Sequence, residues 1–429
     1  MREVNVPQLD RRKILAAIGA STAMIAAPAL ARSSYDTSAV RGLLGGLITA
    51  GRIPGAIVGI VRPGPYEPEW IALGRTAFDG GEAVTPETIW RVYSMTKPVV
   101  GIAVMKQIAA GRLTLDTPIS EVLPEFKTMR VLIDPAKGLE SRPAKEAIKV
   151  RHLLTHTAGF TYTISGNEPL EQAYRKLGLH PMAGGVLQDA SDPPAPDLTN
   201  YMARLATLPL RTEPGTDIRY SVSLDVAGAL LERLLGKTLD QILAEEIFQP
   251  LGMRDSGFWL SPEQLRRLSA LYIGFDPSTG QPLATPKLID SPQDSQWATR
   301  PAMLAGGSGL AASADDFARF AQAMLNDGAF GQQQLLPAHI ARQAMANQLP
   351  AGIFFPPFHG MASGGIVTLH DTSAAPDGTN PGLWGWAGAG STLFQVDPIR
   401  QRAVVVMMQT IGIVNSPVEP ATNRILNTL

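Results

Sequence analysis

The chain has 429 residues, with 37 Lys and Arg against 38 Asp and Glu, and no cysteine. This balance offers polyanions no net attraction, so nucleic acid is not an expected partner. The absence of cysteine excludes disulfides, thiolate metal sites, a cysteine nucleophile and a lipoprotein anchor. With 45% hydrophobic and 17% charged residues, the composition is that of a globular protein with a large core.

Residues 1–31 have the pattern of an export signal. Arg11, Arg12 and Lys13 precede a short, weakly apolar run from Ile14 to Ala27, and Ala29-Leu30-Ala31 is a small-x-small cleavage site before Arg32. The paired arginines suggest the twin-arginine route. The run is too short for an ordinary span of ~20 residues, and Pro28 lies near its end. The expected mature chain begins near Arg32, carries 33 Lys and Arg against 36 Asp and Glu, and works in the periplasm or outside the cell. No later stretch is apolar for the length of a membrane span, so none is expected in the mature chain.

Apolar spacing predicts a helix over 36–51. Ile53–Val61 and Glu69–Phe78 flank a Pro-Gly-Pro turn and read as a hairpin. From about 90 to 290 the signals are mostly helical, at 95–110, 149–157, 199–207, 222–236, 239–248 and 262–269, with a Pro- and Gly-rich loop at 180–198. Helices are also predicted at 313–326, 338–347 and 417–428, and strands at Gly365–Leu369, Leu383–Val396 and Arg402–Gln409. Strands at both ends with helices between predict an α+β fold. Residues 32–90 and 290–429 would build an α/β domain around one antiparallel sheet, and 91–289 a mainly helical domain. A cleft between two such layers is a usual small-molecule site.

Three motifs could carry chemistry. Ser94 and Lys97 are three apart at the start of an apolar helix, with Pro98 marking its first turn. Residues at i and i+3 share a helix face, so the amine can reach the hydroxyl, giving a nucleophile with an adjacent base. By itself this spacing also fits a helix cap with an exposed lysine. The apolarity of residues 99–108 argues against that, because an exposed lysine belongs on a polar face. Tyr220, in Tyr220-Ser221-Val222, follows a Pro-Gly turn and could act as a base near a cation, or could be a core tyrosine with one satisfied hydroxyl. Trp384 to Thr392 contains three glycines in a strand-like run. Glycines there let a ligand or another backbone approach, or mark an ordinary bend.

Taken in order, Ser94-Met95-Thr96-Lys97-Pro98, the tract Arg151 to Phe160, Tyr220-Ser221-Val222 and Gly385-Trp386-Ala387-Gly388 resemble the serine β-lactamase-like hydrolases. The chain looks most like the family VIII carboxylesterases, which are related to class C β-lactamases and DD-peptidases. The resemblance covers about 36 to 410. It implies a β-lactamase/transpeptidase-like fold with the site between the sheet and an all-helical domain. It also implies Ser94 as acylated nucleophile, Lys97 as proton shuttle, Tyr220 as general base, and the N–H groups of Ser94 and Ala389 as oxyanion hole. Trp386, Ala387 and Gly388 would form the substrate-binding strand. Two positions depart from the β-lactamase pattern: Val222 stands where an Asn is usual, and Trp386 where a Lys or His is usual. Without a cation to pair with a substrate carboxylate, the resemblance favours small or medium uncharged esters, with no metal or organic cofactor. A β-lactamase or D-amino-acid peptidase, an acyltransferase and a penicillin-binding-like sensor are the alternatives on the same scaffold.

Other candidates are discounted. His152 and His156 are spaced like metal ligands, but Leu153 stands where a zincin needs Glu, and no third ligand is evident. Gly306-Gly307-Ser308-Gly309 is not a nucleophile elbow, because residue 310 is Leu, and it reads as a tight turn. The apolar loop Phe354 to Phe358 could line an acyl or alcohol pocket, with Phe355 as its contact residue, or could only cover the sheet.

Overall fold

A computed structural model describes residues 36–180, 194–355, 359–369 and 380–413. The expected signal at 1–31, most of the 180–198 loop, and the expected helix at 417–428 lie outside the described residues. The principal elements begin with α1 (Ser38–Thr49), β1 (Gly55–Val61), β2 (Glu69–Gly74) and β3 (Ile89–Arg91). Next come α2 (Thr96–Ala109), α3 (Val150–Leu154), α4 (Pro169–Lys176), α5 (Leu198–Leu205), α6 (Ser223–Leu235), α7 (Leu239–Leu243) and α8 (Pro262–Arg266). They are followed by β4 (Leu271–Phe275), β5 (Pro282–Asp290), β6 (Ala311–Ser313), α9 (Ala314–Leu325) and α10 (Ala338–Met345). The C-terminal part holds β7 (His359–Met361), β8 (Ile366–Thr368), β9 (Trp384–Gly388), β10 (Thr392–Asp397), β11 (Arg402–Met407) and β12 (Thr410–Ile411).

The two ends of the chain share one seven-stranded antiparallel sheet, in the order β7-β8-β9-β10-β11-β1-β2. The central partners β1 and β11 are rich in Val and Ile and are buried along their whole length, with Val58 opposite Val406. A strand covered on both faces reads as such an unbroken apolar run. α9 packs on β1, β10 and β11, and Ser313 caps it by accepting the Asp316 N–H (3.1 Å). α6 ends at Gly236, whose φ of 64° suits a left-handed cap.

One continuous apolar core runs from Ile57 and Val405 in the sheet through α2 to Leu230 and Leu231 in α6. The described residues from Thr37 onward belong to one compact unit. Among the described residues no helix is long and apolar enough to cross a membrane.

Three features differ from the sequence reading. Leu383–Val396 is not one strand. It is a hairpin of β9 and β10 that turns at Ala389–Ser391, with Ser391 at φ 59°. Only three small residues, Ala389-Gly390-Ser391, separate two strand-like runs, which hides the break. Second, 271–290, inside the stretch expected to be mainly helical, contains the β4–β5 hairpin, extended by β12 in parallel to β4. Third, β3 pairs with β6, tying the segment before α2 to the segment before α9.

Candidate active site

Ser94 sits on a forced bend. β3 ends at Arg91, whose guanidinium is completely buried, paired with Asp290, and donates to the Ser269 carbonyl (2.5 Å) and Ser295 Oγ (3.3 Å). The chain then passes through Tyr93 at φ 44°. A bulky residue in this region is strained by about 1–3 kcal/mol and persists only where its neighbours hold it. Here the Val92 N–H donates to the Leu310 carbonyl (3.1 Å), Thr96 Oγ1 donates to the Tyr93 carbonyl (2.6 Å), and the Tyr93 ring packs edge-on against Trp297. The bend delivers Ser94, half-buried, to the start of α2, while Lys97 one turn later is fully buried.

The spacing argument holds in three dimensions. Lys97 Nζ donates to Ser94 Oγ at 3.2 Å. The Tyr220 hydroxyl lies 2.6 Å from Ser94 Oγ, with either oxygen able to donate. Lys97 Nζ also stands over the Tyr220 ring, 4.6 Å from its centroid, and 5.6 Å from that of Tyr162. Hydroxyl, amine and phenol therefore meet, although Ser94 and Tyr220 are 126 positions apart.

Tyr220 is held from both sides. The Arg219 N–H donates to the His156 carbonyl (2.9 Å), and the Arg219 side chain donates to Thr161 Oγ1 (3.0 Å) and pairs with buried Glu171 (3.0 Å). The Ser221 N–H donates to His156 Nδ1 (3.3 Å), and the His156 ring lies 5.0 Å from that of Tyr220. His156 thus braces the Tyr220 segment through both its backbone and its side chain. Burial and nearby Lys97 hold the His156 imidazole well below its ordinary pKa, so it is neutral at pH 7. His152 is pushed down to about 4, chiefly by burial, and its Nδ1 accepts the Lys149 N–H (3.1 Å). Among the described residues no group of three or more His, Asp or Glu side chains is arranged to hold a metal ion.

An aromatic wall lines the site. Trp386 lies 5.7 Å from the Tyr220 ring and is stacked on His156 at 6.5 Å; Phe355 lies 5.9 Å from Trp386, and Tyr162 is edge-on to Tyr220 at 5.4 Å. Phe355 therefore reaches the wall, while Phe354 beside it is largely exposed and 356–358 lie outside the described residues. Val222 is buried in the core and presents no polar group at its position. A cavity of about 90 Å³, lined by His180, Phe258, Trp297, Met303, Ala305 and Gly309, adjoins the 306–309 turn.

The end of β9 is pressed against the bend that carries Ser94. A Cβ on Gly388 would fall 2.2 Å from the Val92 carbonyl oxygen, and one on Gly390 would fall 3.3 Å from that of Arg91. Ala389, between these two glycines, is exposed, while Ala387 is buried in the strand.

Two residues escaped the sequence reading. Gly306–Gly309 is the tight turn expected, closed by the Gly309 N–H on the Ala305 carbonyl (2.9 Å). Its Gly307 carbonyl also accepts from Lys97 Nζ at 2.5 Å, and its Gly307 N–H donates to Asp225 Oδ1 at 2.9 Å. A signal was present for Asp225: it is a lone carboxylate among Val, Leu and Ala, and a buried charge requires partners.

A family model described as Beta-lactamase matches residues 39–424. The chain belongs to the beta-lactamase family. Within the family it is similar to Protein Rv1367c of Mycobacterium tuberculosis, at 31% identity over 79% of this chain and 81% of the relative. It is also similar to Esterase EstB of Burkholderia gladioli, at 29% identity over 84% of this chain and 86% of the relative. Among solved structures it matches EstCE1, described as a hydrolase with promiscuous acyltransferase activity. That match has a TM-score of 0.71 and 26% identity, covering 90% of this chain and 96% of the other. The antiparallel sheet with flanking helices is thus the beta-lactamase-family fold, as the motif order implied.

Proposed function

We propose that the protein hydrolyses carboxylic esters of small or medium uncharged substrates through an acyl-enzyme on Ser94. The observation that carries this reading is the meeting of Ser94 Oγ with the Tyr220 hydroxyl (2.6 Å) and Lys97 Nζ (3.2 Å). Ser94 Oγ attacks the ester carbonyl as its proton passes to the Tyr220/Lys97 pair. The tetrahedral oxyanion is held by the N–H groups of Ser94 and Ala389, the pair returns the proton to the departing alkoxide, and the alcohol leaves. Water, deprotonated by the same pair, then attacks the acyl carbon and regenerates Ser94. The position of Ala389 between Gly388 and Gly390, which both press on the segment before Ser94, supports its part in this scheme. The wall of Trp386, Phe355 and Tyr162 supports an uncharged substrate, since it offers apolar area and no cation to a carboxylate.

The test compares p-nitrophenyl butyrate with a chromogenic cephalosporin, using wild type and Ser94→Ala. The reading expects ester turnover that disappears in Ser94→Ala and slow opening of the cephalosporin. Ester activity surviving in Ser94→Ala would refute the nucleophile, and rapid cephalosporin opening with poor ester cleavage would make the protein a β-lactamase. The description of EstCE1 favours a second reading, in which an alcohol in place of water resolves the acyl-enzyme. Product analysis with added alcohol separates the two. We further propose that residues 1–31 direct export, supported by Arg11, Arg12, Lys13 and the Ala29-Leu30-Ala31 site. Intact mass of periplasmic protein should place the N-terminus near Arg32, and a retained Met1 would contradict export.

A further inference from the structure

The mechanism above leaves one fully buried carboxylate without a task. Asp225 lies in the first turn of α6, five positions after Tyr220. Its Oδ1 accepts the Gly307 N–H (2.9 Å), and its Oδ2 has no hydrogen-bond partner. Burying an ionised carboxylate costs several kcal/mol unless other charges and donors compensate. The compensation lies one residue away: Gly307, held at its N–H by Asp225, offers its carbonyl to Lys97 Nζ at 2.5 Å. The parts fit closely. A Cβ on Gly307 would stand 2.7 Å from Asp225 Oδ2, and one on Gly306 would stand 2.4 Å from the Leu224 carbonyl. Carboxylate, turn and amine therefore interlock, and the amine ends on Ser94 Oγ.

We propose that Asp225 is a positioning residue of the catalytic centre. It fixes the Gly307 carbonyl that aims Lys97 Nζ at Ser94, and its negative charge favours the cation formed when Lys97 holds the Ser94 proton. This rests on the reading of Ser94 as nucleophile. The ionisable groups facing Asp225 are Lys97 from α2, Tyr162 from the loop before α4, and Tyr201 from α5. Both phenols are pushed up by burial, with Asp225 adding to the effect, and so stay neutral. Asp225 itself is raised to about 6 by burial, against the opposing pull of Lys97 and the Gly307 N–H. Protonation would leave Oδ1 on Gly307 but remove the charge.

The test uses the full-length enzyme as wild type, Asp225→Asn, Gly307→Ala and Ser94→Ala, assayed with p-nitrophenyl butyrate over about pH 5 to 9 and melted in parallel. Asp225→Asn keeps an oxygen for the Gly307 N–H and removes the charge. Its kcat should fall on the order of a hundredfold, as for a misplaced catalytic group, with KM within about twofold. The wild-type kcat inflection near pH 6 should vanish with it. Gly307→Ala keeps the charge but displaces the turn, so its kcat should fall with the inflection retained. A folded Asp225→Asn with wild-type kcat and an unchanged pH profile would overturn the proposal. If that variant does not fold, Gly307→Ala decides, and wild-type turnover there overturns the proposal equally. Activity in Ser94→Ala, or none in wild type, would instead sink the nucleophile reading.

Discussion

The charge on Asp225 should make the folded protein weaker as pH rises, and the size of the effect follows from its setting. Its pKa moves from 3.8 to about 6, mainly because burial disfavours the anion. The folded state therefore binds this proton more tightly than the unfolded chain. Between those two values the unfolded chain has released the proton while the folded chain retains it, so raising pH favours unfolding. Moving the value from 3.8 to about 6 corresponds to about 3 kcal/mol, complete above the folded value and absent below the unfolded one. Asp225→Asn has no such proton. The unfolding free energy of the variant minus that of wild type should grow in the variant's favour by about 3 kcal/mol between roughly pH 3.5 and pH 7.5, and level off on either side. Urea denaturation followed by circular dichroism at each pH measures both curves, and titrations common to the two proteins cancel in the difference. A difference that is flat across this window, or that grows in favour of wild type, would refute the reasoning. The substitution predicted to stabilise is also the one predicted to slow turnover, the opposition expected where an active site holds a strained or desolvated group.

Tyr220→Phe removes the phenol 2.6 Å from Ser94 Oγ and should lower kcat by on the order of a hundredfold or more without lowering the melting temperature; near-wild-type turnover would take the tyrosine out of its role. Gly388→Ala places a methyl 2.2 Å from the Val92 carbonyl and should push β9 away from the Ser94 bend, costing about tenfold or more in kcat; unchanged kinetics would show that this approach does not position Ala389. Arg91→Met leaves Asp290 without its buried partner and should destabilise the fold by about 3–5 kcal/mol in urea; a loss below ~1 kcal/mol would mean that the pair does not hold the segment before Ser94.

The site was legible where the relevant contact is local. Ser94 and Lys97 are one helical turn apart, and Pro98 with the apolar residues after it marks both the start of α2 and its burial. Tyr220 had no such local signature; only its order among the other motifs pointed to it, because its partner is 126 positions away. Asp225 showed only as a lone carboxylate in an apolar helix, and its partner Gly307 was illegible for the same reason, being 82 positions away in a turn whose composition says only that it bends. The His152–His156 spacing was discounted as a metal site, and the structure shows what His156 does instead: it braces the tyrosine segment by two hydrogen bonds. In the fold, the β9–β10 turn was hidden because only three small residues separate two strand-like runs, and β3 and β6 were missed because three residues are too few to show a period of two.

The two departures from the β-lactamase motif pattern have one physical sense in this site. Val222 points its side chain into the core, where an amide would need partners that the packing does not supply. Trp386 fills its position with a ring stacked on neutral His156 and close to Tyr220, where a cation would face the charge of Lys97 above the same phenol. Phe355 then extends the ring surface outward. Each replacement removes a polar group from its position, while Lys97, Asp225 and the Gly307 peptide form one linked set of polar groups that ends on Ser94 Oγ. The charge needed to move a proton is thus carried on fully buried side chains, Lys97 and Asp225, and the Trp386 position is left aromatic. A substrate carboxylate would have to give up its hydration for this face with no cation in return, a loss that an uncharged ester does not incur.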